Sequence, residues 1–291
     1  MPVFVTGATG YVGTSVVREL RARTHVVRGL ARSDAAEKKL RDLGVEPVRG
    51  DLRDLDLLRR EAAHADAIVH CTQEERVKGV PVERRALEAM LDALRPSRAF
   101  VYTSGLWVYG SRGDATIAED APLAPLDLVA WRPAHEQLVL AQAGRLRPVV
   151  IRPGVVYGDG GGIPGSFVTS AAAGALRVVG DGANRWSTVR HDALAELYGA
   201  VVDQRSARGV YNASRGAPVP YLEIAHAASR AAGGDGRVAF ITLSEARAQM
   251  GAFADALACD LQLDSSKAAR ELGWEPHRPT LLEELSSTTV V

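Results

Sequence analysis

Lysine is scarce in this chain. Four of the 35 basic residues are Lys (Lys38, Lys39, Lys78 and Lys267), and none falls between residues 79 and 266. Abundant Ala, Gly and Arg offer a plain compositional reason, a GC-rich genome, but the gap matters once the motifs are placed. Cysteine is scarcer still: Cys71 and Cys259 are too few for a disulfide framework, so a reducing cytoplasm is the expected compartment. Neither sign of charge prevails, with 35 basic against 35 acidic residues, which leaves no electrostatic case for nucleic acid or an anionic membrane. No apolar run approaches the ~20 residues of a membrane-spanning helix. The opening MPVFVTGATG lacks the basic start and long apolar stretch of a signal peptide. The His and Cys residues show no zinc-type spacing, so no metal is expected. The segment TSG is not a GxSxG nucleophile elbow.

What is present is an ordinary globular balance, 46% hydrophobic and 24% charged over 291 residues. Short Val-rich runs at 2–6, 25–31, 45–49, 67–71, 99–103 and 148–152 alternate with helical patterns at 11–22, 34–43, 54–63, 81–95 and 129–144. Such alternation predicts right-handed crossovers and a parallel sheet covered on both faces, an α/β doubly wound sheet of the Rossmann type. After residue 153 the rhythm changes: a helix at 166–175, a strand at 175–179, a helix at 189–204 and a strand at 209–214, then two or three helices and a short strand near 237–241. The expected division is a dinucleotide-binding domain over 1–157, re-entered by about 186–214, and a smaller substrate-side part from 158–185 and 215–291.

The strongest motif is GATGYVG, with Gly7, Gly10 and Gly13 between a predicted strand and a predicted helix. Glycines here permit a tight turn, close approach of backbone to a pyrophosphate and close helix–strand packing, while the helix N-terminus offers N–H groups to the phosphates. Thr9, Tyr11 and Val12 belong to the same turn. The second strand ends in LARSD, so Arg32 and Ser33 stand where NAD-preferring folds often place an acid. A guanidinium suits a 2′-phosphate, and the expected cofactor is NADPH (NADP). Asp51 and Leu52 follow the third strand, on the edge that meets adenine in this fold; Asp51 also reads as an N-cap.

Together these motifs resemble the extended short-chain dehydrogenase/reductase family, also called the NAD-dependent epimerase/dehydratase family. The resemblance runs through GATGYVG, GDL (50–52), IVHCT (68–72), TSGLWVYG (103–110), IRPGVVYG (151–158), RWSTVRHDALAE (185–196), VYNAS (210–214) and ELGWEP (271–276). It implies that Cys71, Thr72 and Gln73, with Thr103, line the ribose and nicotinamide side, and that Pro153, Gly154, Val155 and Val156 pack near the nicotinamide. It makes Asp192 a structural acid.

The family usually carries a YxxxK pair and a Ser or Thr after the fifth strand. Here none of the seven tyrosines has a Lys four residues on. In the frame set by TSGLWVYG, the Tyr position falls at Trp131, the Lys position at His135, and the hydroxyl position near Ser104 or Gly105, with Gly105 the closer match. An indole N–H only donates a hydrogen bond. His135 carries an imidazole, yet the Lys position implies that it would face the cofactor ribose rather than the substrate. Ser104 can hydrogen-bond a carbonyl. Trp131, Ser104, Gly105 and Trp107 are the candidate substrate contacts.

A general acid contributes ~10²–10⁴-fold in rate, whereas holding hydride donor and acceptor in register contributes ~7–11 kcal/mol. Loss of the Tyr therefore favours substrates with their own proton source, such as a carbonyl beside a phenolic or enolic hydroxyl. The chain resembles the tailoring ketoreductases of aromatic polyketide pathways, angucyclinone ketoreductases among them. That implies an NADPH-dependent reductase of a small polycyclic aromatic ketone, monomeric or homodimeric. The alternatives are a sugar-nucleotide epimerase or dehydratase, and a non-catalytic NADP(H)-sensing protein.

Overall fold

The computed structural model describes residues 1–72 and 76–287. The first half runs β1 (Pro2–Thr6), α1 (Tyr11–Ala22), β2 (Val26–Ala31), α2 (Asp34–Asp42), β3 (Glu46–Arg49), α3 (Leu55–His64), β4 (Ala67–His70), α4 (Arg76–Ala93) and β5 (Ala99–Thr103). Then come β6 (Thr116–Ile117), α5 (Arg132–Leu140), β7 (Arg147–Pro153), β8 (Val155–Gly158), α6 (Gly162–Ala172), β9 (Arg177–Val179), β10 (Arg185–Trp186), β11 (Thr188–Arg190), α7 (His191–Asp203) and β12 (Gly209–Ala213). The remainder holds β13 (Val219–Pro220), α8 (Tyr221–Ala231), β14 (Ala239–Ile241), α9 (Leu243–Met250), α10 (Phe253–Leu257), β15 (Gln262–Leu263), α11 (Ser266–Leu272) and α12 (Leu281–Ser287).

Seven strands form one sheet in the order β12-β7-β5-β4-β1-β2-β3, and every neighbouring pair is parallel. Both faces are covered, which is why β1, β4 and β5 are almost continuously apolar and buried. Val16, Val17 and Leu20 of α1 pack with Leu194 and Leu197 of α7 on one face. Leu58 of α3 and Leu87 and Met90 of α4 cover the other with Phe100. Strand order reverses at β1, where one crossover leads out to β2 and a later one to β4. The connections diverge there and leave a crevice at the carboxyl ends of the strands.

A second core lies against that edge, around Tyr109, Tyr157, Trp186 and Tyr221. Trp186 and Tyr221 stack with centroids 4.9 Å apart. Leu106, Val108, Ile117 and Val129 pack into this second core, so part of the chain between β5 and α5 belongs to it rather than to the sheet's own cores. The expected helix over 81–95 begins earlier, at Arg76, with Pro81 inside it; Pro reads as a helix start because its fixed φ suits the first turn. The expected helix over 129–144 is shorter, since Pro133 sits at the start of α5 and 3-10 turns flank it. Among the described residues the tail contains five helices, α8 to α12, rather than two or three. Most span only a turn or two and rely on packing, so their sequence period is weak.

One buried ion pair ties sheet, α5 and second core together. Arg152, at the end of β7, donates through Nε to Glu136 Oε1 (3.1 Å) and through Nη2 to Glu136 Oε2 (2.5 Å). Its Nη1 donates to the Tyr109 hydroxyl (2.6 Å) and the Glu119 carbonyl (3.1 Å). Glu136→Ala would strand a buried guanidinium, so the expected loss is about 3–5 kcal/mol of unfolding free energy, read from urea denaturation, against under 1 kcal/mol for an exposed pair such as Lys38–Asp42.

Candidate active site

The glycine turn is built as a dinucleotide would need it. Gly7 has φ +71°, and a Cβ there would stand 2.7 Å from the Cys71 carbonyl carbon and 2.8 Å from the Thr72 nitrogen. A Cβ on Gly13 would lie 2.0 Å from the Gly7 oxygen. Only glycine lets α1 sit this close to the turn. Gly10 is the N-cap of α1 with no side-chain cap, and the first turn holds no acid. The leading N–H groups, at Tyr11, Val12 and Gly13, are therefore left for an anion.

A cavity of about 290 Å³ opens in front of this turn, lined by Gly7, Thr9, Gly10, Arg32, Ser33 and Leu52, with Cys71 and Thr72 at its far side. Sequence positions spread over four strand ends meet there. Ser33 caps α2, accepting from the Ala36 N–H at 3.2 Å, while Arg32 is exposed beside it. Lys39, which the motifs did not single out, reaches from α2 to the Thr9 carbonyl at 2.9 Å. It adds a second cation at the mouth. Asp51 stands outside the lining: its Oδ1 accepts from the Arg53 backbone N–H (2.9 Å) and guanidinium (3.0 Å). The N-cap of α3 is Asp54 rather than Asp51, accepting from the Leu57 N–H at 3.1 Å.

Other predicted contacts have local partners. The Tyr11 hydroxyl donates to the Gly158 carbonyl at 2.7 Å, and its ring lies where a Cβ on Gly161 would be. Tyr11 thereby ties the α1 N-terminus to β8, leaving its backbone for the phosphates. The Thr103 hydroxyl lies 2.6 Å from that of Tyr198 and donates to Cys71 Sγ at 3.5 Å. Burial pushes the Cys71 thiol up to about 11, so it is no nucleophile near neutrality. Pro153 ends β7 in register with Ala213. Gly154 donates to the Ala213 carbonyl, and a Cβ there would meet the Ser187 oxygen at 2.5 Å. Val155 is buried and Val156 packs against the first core. Asp192 pairs with Arg190 in the first turn of α7. Gln73 lies outside the described residues.

At the fifth strand the two hydroxyl candidates differ. Ser104 donates its N–H to the Ile151 carbonyl (2.8 Å), and its Oγ is enclosed without a partner. Gly105 faces open space: a Cβ there would meet nothing within 4 Å. Trp107 is half-buried, edge-on to Phe253 of the second core with centroids 6.4 Å apart. Trp131, the N-cap of α5, is half-exposed, with the Arg132 guanidinium 4.6 Å from its ring centre. Arg132 in turn donates to the Thr103 carbonyl at 2.8 Å, tying the Trp131 turn to the end of β5.

His135 is 2% exposed, its ring 5.0 Å from that of Trp131. Its Nδ1 lies 3.5 Å from Oε1 of Glu83, a buried carboxylate of α4. The same oxygen accepts from the Tyr102 hydroxyl at 3.2 Å and lies 3.7 Å from His70 Nε2. Burial pushes the Glu83 carboxyl up, but the facing imidazoles of His135 and His70 outweigh this and hold it well below the usual carboxylate range. Glu83 was missed, although a signal exists. It occupies the apolar stripe of α4, beside Val82 and one turn from Ala86 and Leu87, where a charge without a partner is not tolerated.

Fold, switch-point crevice and glycine turn define a nicotinamide-dinucleotide enzyme of the doubly wound class. The chain belongs to the NAD dependent epimerase/dehydratase family, whose model matches residues 3–214. It is 30% identical over 296 residues to an uncharacterised protein of Saccharomyces cerevisiae, covering 98% of each chain. It is also 30% identical over 178 residues to a 4-hydroxy-2-methyl-3-oxo-4-farnesyl-3,4-dihydroquinoline-1-oxide ketoreductase of Stigmatella aurantiaca, covering 54% of this chain and 51% of that one. Among solved structures, a dTDP-glucose 4,6-dehydratase double mutant from Streptomyces venezuelae with NAD bound superposes with TM-score 0.80 at 25% identity, over 99% of this chain and 96% of that one.

Gly13→Ala tests the turn. Fluorescence titration should show dinucleotide affinity falling at least about 100-fold, because α1 must move away from the phosphates; unchanged affinity would place the cofactor elsewhere.

Proposed function

We propose that this chain is an NADP(H)-dependent ketoreductase that reduces a carbonyl of a polycyclic aromatic, polyketide-type substrate, with the substrate managing its own proton. The observation that carries the reading is the open space over Gly105, with Trp131 and His135 at the positions where the family's usual Tyr and Lys fall. Arg32 and Lys39 put two cations at the adenosine end, where a 2′-phosphate would lie. When bound, the reduced nicotinamide supplies the hydride. The chain's own residues bind and orient: the α1 N-terminus holds the pyrophosphate, Leu52 flanks the adenine, and Trp131 presents a flat face to an aromatic ring.

No side chain at Gly105 can polarise the carbonyl, and Ser104 Oγ is enclosed. A hydroxyl adjacent to the carbonyl on the substrate fills that role, stabilising the alkoxide as it forms. Registration of donor and acceptor, at ~7–11 kcal/mol, exceeds what the missing general acid would add. The Stigmatella relative, named as a ketoreductase of an oxo-quinoline oxide, supports a ketone on a fused ring. Epimerisation or dehydration of a sugar nucleotide starts by oxidising an unactivated alcohol and needs a strong base, and no residue takes that part at Trp131 or Gly105.

Deuterated NADPH should transfer its label to the carbinol carbon of an ortho-hydroxyaryl ketone, and transfer should fall at least about tenfold when that hydroxyl is methylated. Equal transfer to both would exclude substrate assistance, and no transfer to any ketone would favour a cofactor-sensing role. The double variant Trp131→Tyr with His135→Lys should not raise turnover of the natural substrate; a large gain would mean that proton delivery limits the native enzyme. Arg32→Ala should weaken NADPH by about tenfold or more and NADH by less than about twofold in the same titration. Equal losses would remove Arg32 from the phosphate site.

A further inference from the structure

A buried polar cluster lies behind His135. Glu83, His70, Tyr102 and His135 come from α4, β4, β5 and α5 and meet beneath Trp131, with Arg132 alongside. We propose that Glu83 is a positioning residue that fixes His135 in the Nδ1–H tautomer, so that Nε2 is a hydrogen-bond acceptor for a hydroxyl of the nicotinamide ribose. The ribose half of this assignment rests on the proposed activity; the tautomer half does not.

The argument is one of donors and acceptors. An ionised carboxylate only accepts, and Glu83 Oε1 faces His135 Nδ1 at 3.5 Å. A lone pair on Nδ1 would set two acceptors against each other in a site where both residues are at most 2% exposed. The proton therefore belongs on Nδ1. The second histidine follows the same logic: the Thr6 hydroxyl lies 2.8 Å from His70 Nδ1 and can donate to it, which leaves His70 Nε2–H facing Glu83. Tyr102 donates to the same oxygen. Every neighbour of Glu83 Oε1 then presents a proton to it.

The two nitrogens of His135 differ in surroundings. Nδ1 is fully buried and faces Glu83, while among the described residues no hydrogen bond is made by Nε2. Trp131, one turn earlier on α5, holds the ring from the side. A lysine at this position can only donate. His135 in this tautomer can only accept through Nε2, and a ribose hydroxyl can do either. The contact is kept and its direction is reversed.

The test is a long-range ¹H–¹⁵N correlation spectrum of the ¹⁵N-histidine-labelled full chain, with the His135 signals assigned by their loss in His135→Asn. The wild-type protein should show Nδ1 protonated and Nε2 bare; the reverse pattern overturns the proposal without reliance on any variant. Glu83→Gln can present an amide N–H to Nδ1 and should shift His135 toward the Nε2–H form, weakening NADPH about tenfold. His70→Gln should leave the His135 tautomer in place. A Glu83→Gln spectrum identical to wild type would also overturn the assignment. The Nδ1–H form in a protein that binds no NADPH would count against the reductase reading and the ribose contact, and leave the role of Glu83 toward His135 standing.

Discussion

The two-pronged pairing of Arg152 with Glu136 is the contact on which the site's geometry depends. Arg152 ends the strand that leads into the Gly154 turn, and Glu136 sits in the middle of the helix that carries Trp131 and His135. The same guanidinium reaches Tyr109, whose hydroxyl donates to the Asn212 side chain at 2.8 Å. Asn212 in turn donates to the carbonyls of Ile117 and Asp264. Through one desolvated cation, two strands of the sheet, the second core and α5 are held in a single register. Such a pair is weak evidence of net stability. Its consequence is positional: α5 cannot slide without stranding a charge.

Held this way, α5 places Trp131 and His135 beside the end of β5. The glycine turn is conventional in its physics: glycines let α1 approach β1, the helix N-terminus has no side-chain cap, and Arg32 lines the cavity in front of it. Near the end of β5 lie a half-exposed indole, an open glycine position and a buried imidazole facing a carboxylate.

Much of this was legible from residue order. Strong alternation of short Val-rich runs and amphipathic helices predicted the parallel sheet through β12, because burial on both faces leaves a periodic trace. Gly7, Gly10 and Gly13 announced their turn because a Cβ at Gly7 or Gly13 would overlap backbone. Absence of a YxxxK pair was visible without structure. Less was legible where partners lie far apart in the chain. Asp51 reads like a cap or a base contact, yet Asp54 caps the helix and Arg53 holds Asp51. Tyr11 belongs to the phosphate turn by position, while its hydroxyl reaches a carbonyl 147 residues away. Glu83 looks like one more surface charge on a helix until the apolar stripe around it is noticed.

Composition and motif order alone therefore determined the fold class, the dinucleotide turn and the missing acid–base pair, because each is a local property: a period, a steric demand on a backbone, a residue type at a spacing. Only the folded chain decided which hydroxyl is enclosed and which position is open at Ser104 and Gly105, that Lys39 joins Arg32, and that a carboxylate from one helix faces a histidine on another. Those outcomes depend on distances between side chains remote in sequence, set by how α4 and α5 pack on the sheet, and no local pattern encodes them.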